Sequence, residues 1–374
     1  MRLNLTPNVR RRIMTTPDVP PRIITVDVAE RTHRFRDAYV PRLAGARAYK
    51  GSHGGKIGIV GGSSTYSGAP YFAARAATQC GADLTHVFTS EKCAPVIKGY
   101  GGDVVVHASW EDGAREAFDA ERAKARGGTD LRAWTSRMDG FVFGPGLGDS
   151  SPFFNAENGV AVGEEYLANA SSGGAPTVVD ADGLRVFTSS RAETSTPSGV
   201  DFGSESGSGF VIATPNKMEL FRMLRAVNPE RYASVKDVDL ESEDGVRRAG
   251  VDLRRYAPVA ILAKSSTDVL FMDDECIRIH CHGAPKRSGG QGDVLAGVLA
   301  LFLAWAERAD ADADIRRDAR IAAIVSACFI VRKTANDAYT DLGRSMQASD
   351  VLNRLGVAFR RELDPDYADP VPHI

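Results

Sequence analysis

Between residues 56 and 282 the chain alternates two hydrophobic patterns. Short apolar runs, each closed by Gly, Asp or Pro, predict strands at 56–60, 84–89, 103–107, 140–143, 177–180, 210–213, 260–264, 268–272 and 276–282. Stretches with helical spacing at 71–79, 114–124 and 219–226 lie between them. The early runs are rich in β-branched residues and carry no polar alternation, the pattern of strands buried on both faces. Strand–helix alternation of this kind predicts a mostly parallel central sheet with helices on both faces, a three-layer α/β/α fold. The last three strands lie a few residues apart, with Asp273 and Asp274 at a turn, and predict an antiparallel or mixed edge. Beyond residue 282 the pattern is helical, over 293–308, 315–337 and 349–363.

One domain over 45–363 accounts for these elements. Residues 1–44 read as a flexible extension, 364–374 as a C-terminal tail, and the Ser/Thr/Gly-rich stretch 189–209 as a mobile insert loop with too little apolar surface to offset its ordering entropy. The 374-residue chain has a net charge of −2, so nothing global attracts nucleic acid or anionic lipid, and neither is expected as a partner. The longest apolar stretch, 294–306, is interrupted by Gly297 and is too short to span a membrane. Five cysteines without C-x-x-C spacing argue against a disulfide framework and a structural zinc site. Residues 1–23 hold five arginines and one acid, the bias of a transit peptide, but four prolines oppose the helix such peptides need. A cytoplasmic location is expected, with mitochondrial import as the alternative.

Glycine is enriched, 37 of 374, and its clusters carry the candidate chemistry. Gly283, Ala284, Pro285, Lys286, Arg287, Ser288, Gly289, Gly290, Gln291 and Gly292 form a loop between a predicted strand and a helix starting near Gln291. Its bare backbone N–H groups and the helix N-terminus suit an anion. Asp293 then falls in the first helical turn, where a carboxylate beside a bound phosphate can serve as base for a substrate hydroxyl. No G-x-x-x-x-G-K-[ST] occurs, and no G-x-G-x-x-G follows the first strand, which disfavours a P-loop and a nicotinamide-type Rossmann site. The loop at 61–68 can still hold a polar ligand, with Tyr66 free to stack. Gly144, Gly146 and Gly148 follow another buried strand and let a ligand lie on backbone. Asp180 and Asp182 sit where parallel sheets bind ligands, although Asp182 is equally a turn residue. Asn216 with Glu219 reads both as a helix capping box and as a holder of hydrated Mg²⁺ and phosphate. Lys264, beside Ser265 and Ser266, is a candidate nucleotide contact. His280 and His282 share a strand face but have no third ligand in the sequence.

Taken in order, Gly55-Lys-Ile-Gly-Ile-Val-Gly-Gly62, Tyr66-Ser-Gly-Ala-Pro-Tyr-Phe72, Gly144-Pro-Gly-Leu-Gly148, Asp180-Ala-Asp-Gly-Leu184, Thr214-Pro-Asn216 and Gly289-Gly-Gln-Gly-Asp293 resemble the ATP-dependent NAD(P)H-hydrate dehydratases of the ribokinase-like superfamily, over roughly residues 45–362. The resemblance implies a ribokinase-like fold and a carbon–oxygen lyase that repairs hydrated nicotinamide cofactors with ATP and Mg²⁺. By this likeness Tyr66, Gly148, Asn216, Lys217, Met218, Glu219, Leu220, Phe221, Arg222 and Asp293 contact the hydrated cofactor. Lys264, Ser265, Ser266, Thr267 and Asp268, with the loop 283–292, contact ATP. Glu219 would reach the metal through water. A separate epimerase acting on the same substrate and a homo-oligomeric state are further implications. The basic pair Lys286-Arg287 resembles the ATP-using rather than the ADP-using form. Three departures stand out: Lys217 where His is common, the Ser/Gly-rich stretch 189–209 in place of a more regular element, and Ser265 where Gly is usual, a cost of about 1 kcal/mol if that position needs positive φ. The rival reading is a ribokinase-like small-molecule kinase, such as a vitamin kinase, that releases a stable phosphate ester.

Overall fold

The computed structural model describes residues 20–43, 53–111, 131–149, 174–188, 209–256, 259–309 and 312–367, with 151, 153, 163 and 167 in addition. Ten strands form one sheet: β1 (Arg22–Thr25), β2 (Lys56–Val60), β3 (Leu84–Ser90), β4 (Val105–Trp110), β5 (Gly140–Phe143), β6 (Thr177–Val179), β7 (Val211–Ala213), β8 (Ala260–Ala263), β9 (Asp268–Met272) and β10 (Glu275–Ile279). Their spatial order is β1-β10-β9-β8-β7-β6-β5-β2-β3-β4. From β4 across to β8 all neighbours are parallel, while β9 runs antiparallel to both β8 and β10. The mixed edge expected from strand spacing is therefore present, and Asp273 makes its turn with φ 53°. β5 to β9 are buried along their whole length, as unbroken apolar runs require.

Nine helices flank the sheet among the described residues: α1 (Val28–Ala38), α2 (Gly68–Gln79), α3 (Ala94–Tyr100), α4 (Leu131–Thr135), α5 (Lys217–Val227), α6 (Glu243–Leu253), α7 (Gln291–Ala306), α8 (Ala313–Leu342) and α9 (Ala348–Glu362). One core fills the space between the sheet and α1, α2, α7, α8 and α9; the other lies beneath α5 and α6. The first is organised by α7, whose residues from Val294 to Ala306 are all buried. A helix that is apolar all round can only sit inside. α7 packs directly on α2, and Gly297 makes the approach possible, because a Cβ there would lie 2.0 Å from the Ala73 carbonyl oxygen.

Part of the expected flexible extension is structured. β1 pairs in parallel with β10, Arg22 opposite Glu275 and Ile24 opposite Ile277. α1 buries Phe35, whose ring lies 4.8 Å from that of Phe302. The prolines and arginines upstream suggested a tail, but the edge of β10 supplies the hydrogen bonds that β1 cannot find alone. The strand expected at 103–107 begins two residues later and runs to Trp110. The expected helix 114–124, most of the loop 189–209 and residues 1–19 lie outside the described residues.

Gly297→Ala should lower stability by about 1–3 kcal/mol, since α2 and α7 must separate to admit the methyl group. Urea denaturation measures it. An unchanged midpoint would mean that the helix contact is looser than the structure shows.

Candidate functional site

β2 lies between β3 and β5, so the chain winds one way through β3 and β4 and returns on the other side of β2. Such a reversal opens a crevice at the carboxyl ends of the strands. The loops after β2 and β5 meet there: Gly62 N donates to Pro145 O at 2.9 Å. Each strand's backbone ladder then runs one residue further, through Gly61, Gly144, Asp180, Thr214 and Lys264, whose N–H groups bond to carbonyls on or just beyond the neighbouring strand at 2.8–3.1 Å. β9 runs back antiparallel, which places the 264–268 turn on the same edge, and β10 then leads back to that edge and into the 283–292 loop. Every candidate segment singled out in the sequence thus reaches one end of the sheet.

On the first half of this crevice Tyr66 is 55% exposed and borders Gly148, where a Cβ would meet its ring at 3.8 Å. Gly148 N donates to Asp182 Oδ2 at 2.9 Å, so Asp182 ties the glycine loop down. Ala181 between the two aspartates has φ 50°, and Asp273 is the one other non-glycine residue with positive φ among the described residues. Strain of about 1–3 kcal/mol is therefore held between two site carboxylates.

At the next strand end the capping box is real. Asn216 Oδ1 accepts from Met218 N and Glu219 N at 2.9 and 3.1 Å, and Asn216 N donates to Glu219 Oε2 at 2.8 Å. Glu219 Oε1 has no partner among the described residues. Asn216, Lys217, Met218 and Arg222 are exposed. Within the expected contact run 216–222 the side chains of Leu220 and Phe221 are buried in the core, because helical spacing turns those two positions inward.

Lys264 stands at the centre. Its Nζ lies 2.6 Å from Asp180 Oδ1, and Thr214 Oγ1 donates to the same oxygen at 2.8 Å. Burial alone would lower the Lys264 pKa, but Asp180, Glu219 and Asp293 together hold it above its ordinary value. Burial raises the Glu219 carboxyl, and Lys264 pulls it back only in part. Asp293 is pushed up to about 7, first by burial and then by Asp180, Glu219 and Asp182, with Lys264 opposing. Its carboxylate accepts no hydrogen bond among the described residues and faces the N-terminal turn of α7. A carboxylate with a pKa near 7 is a poised proton acceptor.

The turn 264–268 is held by a residue that sequence reasoning missed. Arg332 of α8 makes a two-pronged bond to Asp268, Nε to Oδ2 at 2.8 Å and Nη2 to Oδ1 at 2.6 Å, and also reaches the Ser265 carbonyl. Asp268 is 2% exposed and accepts from Ser265 N at 2.9 Å, which makes it a brace of the 264–268 turn. Ser265 is not among the residues with positive φ, so the expected strain of a non-glycine residue is absent. In the 283–292 loop Gly290 has φ 96° and packs where a Cβ would be 2.8 Å from the Phe72 ring, a position that needs glycine. Gln291 Nε2 holds Ser288 Oγ at 2.7 Å. Lys286 is bound to the Arg344 carbonyl, while Arg287 is exposed and without a partner among the described residues. His280 Nδ1 bonds Thr267 Oγ1 at 3.1 Å, a contact that ties the turn to the end of β10. No cluster of three His, Cys, Asp or Glu able to cage a metal occurs among the described residues.

The fold resembles a ribokinase-like superfamily protein of Enterococcus faecalis, with TM-score 0.63, 18% identity, and coverage of 97% of this chain and 100% of that one. It also resembles the ADP/ATP-dependent NAD(P)H-hydrate dehydratase of Bacillus subtilis, with TM-score 0.56, 19% identity, and coverage of 88% and 97%. A reversing, mostly parallel sheet with a glycine loop leading into α7 belongs to the ribokinase-like α/β class. The sequence narrows this further. It is 32% identical over 325 residues to the ATP-dependent (S)-NAD(P)H-hydrate dehydratase of Bos taurus, covering 86% of each chain, and 31% identical to that of Vitis vinifera, covering 85% and 84%. With residues 57–356 also matching the family profile, the chain belongs to the NAD(P)H-hydrate dehydratase family.

Asp293→Asn should stabilise the protein above pH 7. A folded-state pKa raised to about 7 means that the protonated form favours folding and that this stabilisation is lost as pH rises from about 4 through 7. The neutral amide avoids that loss. The variant should exceed wild type by up to about 4 kcal/mol at pH 8 and match it near pH 4. Melting curves across that range check it; a pH-independent difference would contradict the buried, charged environment.

Proposed function

We propose that this chain carries out the ATP-dependent dehydration of (6S)-hydrated NADH and NADPH, restoring the reduced cofactors. The observation that supports this reading best is the position of Asp293. Its carboxylate stands in the first turn of α7, directly after the loop 283–292, on the strand-end edge that also presents Tyr66, Gly148 and Asn216. One base thus faces both a phosphate site and a crevice for a larger polar ligand.

The chemistry balances as follows. Hydration leaves a hydroxyl on C6 of the nicotinamide ring, and hydroxide is a poor leaving group because water has a pKa of about 15.7. Asp293 accepts the hydroxyl proton as the oxygen attacks the γ-phosphorus of ATP; the new O–P bond replaces the bond to ADP. The ring nitrogen lone pair then expels phosphate, whose second pKa near 6 makes it a far better leaving group. Loss of a proton from C5 restores the dihydropyridine. Backbone N–H groups at Gly289, Gly290 and Gly292 and the N-terminus of α7 favour the phosphate charge.

The oxygen donors present suit Mg²⁺, which keeps most of its waters and needs few protein ligands. Glu219, with one carboxylate oxygen free of the capping box, would hold it through water. Bound there, the ion would offset charge on the ATP oxygens. A separate epimerase would supply the (6S) form from its mirror at C6. ATP is the expected donor over ADP, because the unpartnered Arg287 adds positive charge near the loop.

Asp293→Asn should cut ATP-dependent formation of NADH from its hydrate by 10²–10⁴-fold while ATP binding changes little. NADH absorbance and calorimetric titration of ATP read the two arms. A variant that keeps more than half of the wild-type rate removes Asp293 from the reaction. A wild-type enzyme that accumulates a stable phosphate ester instead of NADH is a small-molecule kinase.

A further inference from the structure

Lys264 raises a problem of charge. An ammonium beside a general base neutralises it, and Asp293 has no hydrogen-bond partner among the described residues to compete for that ammonium. The geometry shows what competes. Asp180 is 2% exposed, and its Oδ1 takes both the Lys264 ammonium at 2.6 Å and the Thr214 hydroxyl at 2.8 Å. Thr214 is itself 1% exposed, so the acceptor oxygen is fixed from two sides. Gly292 has no positive φ to explain its identity. A Cβ there would sit 3.3 Å from Lys264 Nζ and 3.7 Å from Asp180 Oδ2. The missing side chain lets the ion pair come up against the first turn of α7, next to Asp293.

We infer that Asp180, fixed by Thr214, is a positioning residue that holds Lys264 in a pair and so keeps Asp293 free to accept a proton. The inference rests on Asp293 being the base of the proposed reaction. Without Asp180 two things happen in the same direction. A neighbouring negative charge disappears, and the released ammonium turns to Asp293. Both favour the ionised carboxylate and lower its affinity for a proton. The groups that face Asp293 are Asp180 and Asp182 after β6, Glu219 on α5 and Lys264 after β8; among them Asp180 is bound to the cation.

Asp180→Asn tests this by two independent readings. In the first, the acid limb of the kcat/KM profile should move down by at least one pH unit, since a charge at this range moves a carboxyl by about one to three units. At pH 6 the activity relative to its own plateau should rise from about one-tenth to more than half, on a lower plateau. The second reading needs no turnover: the folded-state midpoint of Asp293, read as the pH at which the Asp293→Asn stability difference levels off, should fall by the same amount when measured in the Asp180→Asn background. Asp180→Glu, which keeps the charge, should leave both midpoints near wild type. Lys264→Met added to Asp180→Asn should move them back up, because the freed cation is gone. Should the double background fold poorly, Asp180→Glu against wild type and Asp180→Asn still decide the matter. Midpoints unmoved by Asp180→Asn, or moved upward, overturn the inference. If only the stability midpoint moves while no turnover is found in any variant, the charge coupling stands and the proposed reaction falls.

Discussion

The site depends on holding four carboxylates and one lysine together at the ends of the parallel strands. Asp180, Asp182 and Glu219 all act on Asp293, with Lys264 as the cation among them. Burying that much negative charge in one place is unfavourable unless each group is held by a partner or gives up its charge. The structure uses both routes. Asp180 is paired with Lys264, Asp182 and Glu219 accept backbone N–H groups, and Asp293 is left with its pKa pushed up to about 7. The residue without a partner is the one placed to exchange a proton, and the rest of the local architecture explains why it stays so.

The sheet makes this arrangement possible. Because β2 to β8 all run parallel and β10 runs the same way, residues from six separate loops arrive at one edge without long excursions. The reversal beside β2 opens the crevice, and the close contact of α2 with α7 sets the N-terminal turn of α7 over it. The turn 264–268 has a brace of its own. Arg332, from the middle of a 30-residue helix, clamps Asp268 and the Ser265 carbonyl, and also lies within 3.4 Å of where a Cβ on Gly283 would be. One guanidinium thus touches both segments expected to contact ATP.

Most of the sheet was legible in the sequence, because strands buried on both faces read as unbroken apolar runs and end at Gly or Asp. The glycine loops and Asp293 were legible for the same reason: they interrupt an otherwise regular alternation. β1 was hidden since two apolar residues between prolines and arginines have no strand pattern of their own and depend on β10. The inward side chains of Leu220 and Phe221 follow from helical spacing; Asn216 as N-cap already implies that positions four and five residues on turn toward the core. Arg332 and the Asp180–Lys264 pair join residues 64 and 84 positions apart, a proximity that no local pattern records. The one sign of Arg332 is that it is the first charge after the apolar run from Ile321 to Val331. Its partner could not be named without the fold.

The central claim is that the C6 hydroxyl is phosphorylated before it leaves. Hydrated NADH prepared in heavy-oxygen water carries the label in that hydroxyl, and the fate of the label separates the routes. If Asp293 activates the hydroxyl toward ATP, the heavy oxygen must appear in the released inorganic phosphate, one atom for each NADH formed. Heavy oxygen found in water, with unlabelled phosphate, would show that the hydroxyl departs directly and that ATP is hydrolysed in a separate step, which contradicts the role assigned to this site.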